Sequence, residues 1–333
     1  MRVLAGDIGG TKTWLQIAEF SGQARQGRVI YEERYDSQAY PDFSQMLEEF
    51  LSNAPGLTLN LPEKACFGVA GPVSQTPTGQ SSKLTNLPWQ LDTQALADEL
   101  SISKVQLIND FQAIGYGIEA LQSEDLVTLQ TGQAQVSAPR LVIGPGTGLG
   151  VGLLTWQSDH YAALPSQGGH MDFAPVDIQQ IALLDYLLKS FGHAPWESVV
   201  SGSGLTHLYE FLCTQHPGQG KLSLQQDLHD LPARITEAAE KGDDVLAIQA
   251  VELFVSLCGA FAGNLALASL PYGGVYVAGG IAPKLIERFK DGMFLRAFNT
   301  KSSMSSLLMN MPVRVIMNPK VGLMGAALVA HRL

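Results

Sequence analysis

The sequence predicts an α/β protein built from a duplicated unit. Three observations lead there. Short apolar runs of strand length recur with helical stretches between them, and helices dominate the second half. Two strand–turn–strand segments share one kind of glycine–threonine turn, Gly9-Gly10-Thr11 and Gly146-Thr147-Gly148. The 333 residues suffice for two domains of ordinary size.

Composition narrows the class. With 46% hydrophobic and 16% charged residues the chain is globular. A formal net charge of −10 argues against nucleic acid and anionic membrane as partners. An acidic chain still binds a nucleotide when backbone N–H groups and a metal ion handle the phosphates, and 34 glycines suit that solution. Cys66, Cys213 and Cys258 are scattered and odd in number, so they form neither a disulfide framework nor a zinc site. They read as reduced thiols of a cytoplasmic protein. The first residues, Met1 to Asp7, are too short and too soon acidic for a signal peptide. Leu253 to Leu270 lacks charge and carries Gly259 and Gly263 at membrane-helix spacing. Ser256, Asn264, Ser269 and the absence of a basic flank favour a buried helix instead.

In chain order, Val3 to Ile8 and Trp14 to Phe20 are strands around Gly9-Gly10-Thr11. That arrangement is a hairpin, not the strand–loop–helix of a P-loop or dinucleotide fingerprint. Its successive N–H groups and the Thr11 hydroxyl can hold a phosphate, and Asp7 can face the accompanying metal. An ordinary turn is the competing reading, and Lys12 reads as an exposed lysine. Arg28 to Tyr35 is a third strand. Asp42 to Asn53 is an amphipathic helix ended by Pro55-Gly56, and Lys64 to Ala70 is a strand. Ser74 to Lys83 reads as a polar loop. Asn86, before Leu87-Pro88-Trp89, reads as a turn residue when taken alone. Asp92 caps a helix running to about Leu100.

Val105 to Ile108 is a buried strand and Phe111 to Leu121 a helix, which puts Asn109 and Asp110 at the strand's carboxyl end. Ligands of open α/β sheets bind there. A carboxylate so placed can accept a hydroxyl proton while the neighbouring amide steadies that hydroxyl. The competing role for Asp110 is a helix cap.

Leu141 to Ile143 and Val151 to Thr155 flank the second glycine turn, Gly144 to Gly150, with Gly146, Thr147 and Gly148 at its centre. Two similar phosphate loops opening two halves suggest nucleotide held between duplicated units. Gln167 and His170 bracket Gly168-Gly169 and can hydrogen-bond hydroxyls. A metal reading of His170 and Asp172 lacks a third ligand. Asp177 to Phe191 is a helix, and Glu197, taken alone, reads as a solvated helix residue. Helices follow at Gly204 to His216, Pro232 to Lys241 and Asp243 to Leu270. Gly274 to Val277 is a strand before Gly279-Gly280, where backbone can lie flat beneath a base or ribose. Val313 to Met317 is the last strand and Val321 to Arg332 a closing helix.

Seven motifs in order resemble those of the bacterial glucokinases of the group that lacks the ROK zinc site. They are Gly6-Asp7-Ile8-Gly9-Gly10-Thr11, Thr85-Asn86-Leu87-Pro88-Trp89, Ile108-Asn109-Asp110-Phe111, Gly144 to Gly150, Gly168-Gly169-His170-Met171-Asp172-Phe173-Ala174-Pro175, Ser201-Gly202-Ser203-Gly204-Leu205 and Ala278-Gly279-Gly280-Ile281. The resemblance covers nearly the whole chain. It implies an actin-like (ribonuclease H-like) duplicated fold, with residues 1–109 plus 319–333 as a small domain and 110–318 as a large one. It implies an active site in the cleft between them and a homodimer. It also implies MgATP-dependent phosphorylation of the glucose 6-hydroxyl, feeding glycolysis, with Asp110 as general base. Asn109, His170 and Glu197 would face glucose, with Gln167 and Asn86 beside them. Gly9, Gly10, Thr11, Gly146, Thr147, Gly148, Gly279 and Gly280 would face ATP, and Asp7 would meet Mg²⁺ indirectly. One position departs: Gln167 stands where most of the family carries glutamate, so a neutral group replaces a charged acceptor. A non-enzymatic sugar sensor of the same fold is the rival class. The chain's acidity, its start at the first strand and its complete Asn109-Asp110 pair speak against that reading.

Overall fold

The computed structural model describes residues 1–56, 61–224 and 230–333. The chain divides into two compact units. The first holds Met1–Asp125, His160–Pro165 and Asn318–Leu333; the second holds Leu126–Asp159 and Ser166–Met317.

The first unit opens with β1 (Arg2–Ile8), β2 (Lys12–Glu19) and β3 (Arg28–Asp36), then α1 (Phe43–Asn53), β4 (Lys64–Val69), β5 (Val73–Thr76), β6 (Gly79–Lys83), β7 (Gln90–Asp92), α2 (Thr93–Leu100), β8 (Lys104–Asn109) and α3 (Asp110–Gly117). Its main sheet runs β3-β2-β1-β4-β8. β1 pairs antiparallel with β2 and parallel with β4, and β4 pairs parallel with β8. Alternation sends Leu4, Ile8, Leu15 and Ile17 toward Phe43, Met46, Leu47 and Phe50 of α1. Val3, Ala5 and Ala18 face the opposite way. Asp42 and Asp92 cap α1 and α2 through their side chains.

The polar segment Ser74 to Lys83, expected as a loop, forms most of a small sheet, β5-β6-β7. Its first two strands, Val73–Thr76 and Gly79–Lys83, are short and mostly polar, so they lack apolar alternation. It also satisfies the edge of β8, where the Leu107 N–H donates to Gln80 Oε1 at 3.0 Å.

The second unit contains β9 (Leu126–Gln130), β10 (Arg140–Pro145) and β11 (Leu149–Gln157). β12 (His160–Pro165) follows in the chain but groups with the first unit. Then come α4 (Ile178–Phe191), α5 (Gly202–Gln215), α6 (Leu231–Lys241), α7 (Val245–Ser269), β13 (Gly274–Val277), four short helices, α8 (Ile281–Lys284), α9 (Ile286–Lys290), α10 (Met293–Asn299) and α11 (Ser305–Met309), and β14 (Val313–Ile316). The pairing repeats that of the first unit. β10 is antiparallel to β11 and parallel to β13, and β13 is parallel to β14. β9 adds an antiparallel edge, which no sequence signal had marked.

α7 is the one helix among the described residues long and apolar enough to cross a membrane. It is the centre of the second unit's core: Phe254, Leu257, Cys258 and Phe261 have no exposed surface. Gly259 and Gly263 let α10 lie directly on it, since Cβ atoms there would fall 2.1 Å and 2.5 Å from the Phe294 and Phe298 carbonyl oxygens. α12 (Val321–Arg332) returns to the first unit. Its Leu323, Ala326 and Ala330 cover the sheet face formed by Val3, Ala5 and Cys66. α3 packs on α12, and Asp110 to Asp125 therefore groups with the first unit, whereas the sequence expectation put it in the larger one.

Candidate active site

In the first unit β8 ends on Asn109, and Asn109 caps α3. Its Oδ1 accepts from the Phe111 N–H at 3.0 Å, and its N–H donates to Gln112 Oε1 at 3.1 Å. The Asn109 amide nitrogen donates to the Gly71 carbonyl at 3.3 Å. The capping role considered for Asp110 therefore belongs chiefly to its neighbour. Asp110 stands in the first helical turn, where its Oδ1 also accepts from Phe111 N–H at 3.0 Å. Burial pushes its carboxyl up to about 6, against the lowering pull of hydrogen bonds from Phe111 and Asn109. Asp7, near the end of β1, is raised to about 7, by burial first and by the Asp110 charge second. The two carboxyls thus act on one another. Gly322 of α12 crowds Asp7, for a Cβ there would fall 2.7 Å from Oδ2.

The first glycine turn closes by Gly9 N–H donating to the Lys12 carbonyl at 3.0 Å. Ser37 braces it: the Ser37 hydroxyl donates to the Gly9 carbonyl at 2.8 Å, and the Ser37 N–H to the Thr11 carbonyl at 3.0 Å. Asn86, exposed, lies against this turn, 2.8 Å from where a Gly10 Cβ would be. Thr11 and Lys12 are exposed.

In the second unit the turn between β10 and β11 closes by Gly146 N–H donating to the Gly148 carbonyl at 2.8 Å. The Gly202 N–H, from the first turn of α5, donates to the Gly146 carbonyl at 2.8 Å. Ser201 caps that helix through Gly204 N–H at 3.0 Å and donates to the Glu197 carbonyl at 2.6 Å. Glu197 is not the solvated helix residue that its local sequence suggests. It is half-buried in a single helical turn, Trp196–Ser198, and its Oε2 accepts from the Leu149 N–H at 2.8 Å. A Cβ on Gly148 would lie 2.6 Å from that oxygen. Gly169 presses on the same strand, with a Cβ position 2.0 Å from the Leu149 carbonyl oxygen. Gln167 and His170, on either side of Gly168-Gly169, are both exposed. Trp196 N–H donates to the Met171 carbonyl at 2.8 Å, tying this turn to the segment of Glu197. Asp172 pairs with His193 at 3.3 Å and not with His170.

Gly279 adopts φ +81 beside the end of β10, where a Cβ would meet the Pro145 carbonyl oxygen at 2.4 Å. Gly280 borders open space before α8. A cavity of about 960 Å³ opens beside the second glycine turn, lined by Gly146, Thr147, Gly202, Ser203, Ile281 and Lys284, and by Thr206, Glu210, Thr236 and Glu240. Its size suits a nucleotide-scale ligand. The two residue pairs on α5 and α6 lacked any motif; their i,i+4 spacing was the only signal. Gln112 and Gly322 were likewise missed, because their roles depend on partners far away in sequence.

The profile of the family described as Glucokinase matches residues 4–333. The chain belongs to the glucokinase family. Glucokinases of Nostoc sp. and Synechocystis sp. are 46% and 44% identical to it, over 99% of both chains and over 98% of this chain and 97% of the other, respectively. The solved glucokinase of an Antarctic psychrotroph superposes with a TM-score of 0.87 at 29% identity, covering 100% of this chain and 99% of that one. A ROK-family glucokinase from Streptomyces griseus, solved with glucose and AMPPNP, is similar in fold, with a TM-score of 0.65, 19% identity and full coverage of both chains. The fold is accordingly the actin-like α/β fold. This glucokinase-family chain thus carries its distinctive polar residues in two sets, one per unit. Asp7, Asn86, Asn109 and Asp110 with the first glycine turn form one. Gln167, His170, Glu197 and the glycines at 146–148 and 279–280 form the other.

Proposed function

We propose that this chain transfers the γ-phosphoryl group of ATP to the 6-hydroxyl of glucose, with Asp110 as the general base. The observation that carries this reading is the state of the Asp110 carboxyl. It stands at the carboxyl end of a parallel strand, shares the Phe111 N–H with the Asn109 cap, and is raised by burial to about 6. At neutral pH such a group is mostly ionised yet more basic than an ordinary aspartate, which suits acceptance of a hydroxyl proton. The proton moves to Asp110 as the sugar oxygen attacks phosphorus and the bond to the ADP oxygen breaks. Asn109, Gln167, His170 and Glu197 orient the sugar, with Asn86 at the margin, and orientation supplies much of the rate.

The glycine turns at Gly9 to Thr11 and Gly146 to Gly148 present N–H groups to the phosphates, and the cavity beside Thr147 takes the nucleoside. Mg²⁺ bound mainly by phosphate oxygens and water needs only one or two protein carboxylates. Asp7 fits that need, because burial first and the Asp110 charge second leave its carboxyl favouring a neutralising partner. Among the described residues no group of three or more His, Cys, Asp or Glu gathers to hold a metal alone. When bound, the ion would neutralise charge developing on the transferred phosphoryl group.

A cytoplasmic homodimer feeding glycolysis completes the proposal. The exposed Ile178 and Ile181 of α4, at 81% and 52% exposure, offer apolar surface to a second copy. A coupled assay of ADP release over a panel of hexoses tests the central reading. Glucose-dependent turnover that is lost in Asp110→Asn supports it. Glucose binding without turnover in the wild type would sink it, and retained turnover in Asp110→Asn would remove Asp110 as the base.

A further inference from the structure

Gln112 has a second contact that the capping of α3 does not use. Its Oε1 accepts from the Asn109 N–H, and its Nε2 donates to the Ala163 carbonyl at 2.8 Å. One turn further along α3, the Tyr116 hydroxyl accepts from the Ala163 N–H at 3.2 Å. Both backbone groups of Ala163, a buried residue of β12, are therefore held by side chains of the helix that begins at Asp110. Ala163 precedes Gln167 by four residues, and only Leu164, Pro165 and Ser166 intervene. A residue gripped at both its N–H and its C=O has the two peptide planes on either side of it fixed, and little freedom to slide or rotate.

We infer that Gln112 is a positioning residue, with Tyr116 as its partner: together they hold Ala163, the residue from which the chain runs on to Gln167, against the helix that carries the general base. This rests on the proposed glucokinase reaction. The amide of Gln112 suits the task because it accepts from one side and donates to the other. Glutamate would keep the first bond and lose the second. A hydrocarbon side chain would lose both and leave the Asn109 N–H without its partner.

Three variants separate the roles: Gln112→Glu, Gln112→Met and Tyr116→Phe. Gln112→Glu is expected to raise KM for glucose about tenfold, the scale of losing one to two hydrogen bonds, with KM for ATP kept and the acid limb of the pH profile moved to higher pH by the second carboxylate beside Asp110. Gln112→Met adds a fall in kcat, because the Asn109-Asp110 junction loosens too. Tyr116→Phe is expected to speed hydrogen exchange in peptides spanning residues 160–170, a readout independent of turnover. A Gln112→Glu enzyme with unchanged KM for glucose overturns the inference. So does a uniform loss of activity that tracks a lower Tm with both KM values kept, or unaltered exchange in Tyr116→Phe. A wild-type protein that turns over no glucose, but whose exchange behaves as expected, refutes the proposed reaction and leaves the clamp standing.

Discussion

The two glycine–threonine hairpins share a topology and a sequence pattern, yet they are braced by different chemistry. Neutral groups hold the first: the Ser37 hydroxyl on the Gly9 carbonyl, the Ser37 N–H on the Thr11 carbonyl, and Asn86 packed over Gly10. A charge holds the second, since the Glu197 carboxylate takes the Leu149 N–H while the first turn of α5 donates to the Gly146 carbonyl. Charged hydrogen bonds are worth about 1.5–3 kcal/mol and neutral ones about 1. Glu197 is also a candidate sugar ligand, so in the second unit the phosphate turn and the sugar contact share one carboxylate. In the first unit they do not: the carboxyls of Asp7 and Asp110 influence each other, and the glycine turn is braced without them.

That contrast can be broken at several points. The largest effect belongs to the chemical step. Asp110→Asn is expected to lower kcat about 10²–10⁴-fold with glucose affinity kept, as measured by single-turnover kinetics and by binding. Next is Gly148→Ala, whose methyl group displaces the Glu197 carboxylate. A loss of about 10–100-fold in kcat/KM for glucose should follow, together with a weaker hold on ATP, because one carboxylate serves both. If ATP binding alone suffers, the two functions of Glu197 are separate.

The pH profile sharpens the other side of the comparison. Asp110 must be ionised, so kcat/KM for glucose should fall about tenfold per pH unit below about pH 6. Both raised carboxyls bind protons more tightly folded than unfolded. Their contribution to stability is thus full below about pH 4 and lost as pH rises through about 6 to 7. Asp7→Asn should accordingly raise Tm relative to wild type more at pH 8 than at pH 4.

The mirror of Gly148→Ala is Gly10→Ala. It meets only the exposed Asn86 side chain, and a rise of about threefold to tenfold in KM for ATP, with KM for glucose unchanged, is expected. The smallest effect is at Gln167. This residue is exposed, and Gln167→Glu should lower KM for glucose only a few-fold, about the difference between a neutral and a charged acceptor in partial solvent. Isothermal titration with glucose gives the sign directly.

The sequence alone determined the two hairpins, the carboxyl-end position of Asn109 and Asp110, the starts of α1, α2 and α4 through Asp42, Asp92 and Asp177, and the buried character of α7. Each is written in local periodicity or in a capping residue, which act over a few positions. Tertiary structure decided the rest. Ser74 to Lys83 became strands because its two halves pair with each other and the second also with Gln90–Asp92, a pairing that its polarity did not announce. Glu197 left solvent because Leu149, 48 residues earlier, presented an N–H. Asp110 and Asp7 acquired raised pKa values through burial and mutual charge, and both depend on chain segments that meet only after folding. A side chain's type is local, but its proton affinity and its partners belong to the whole packed chain.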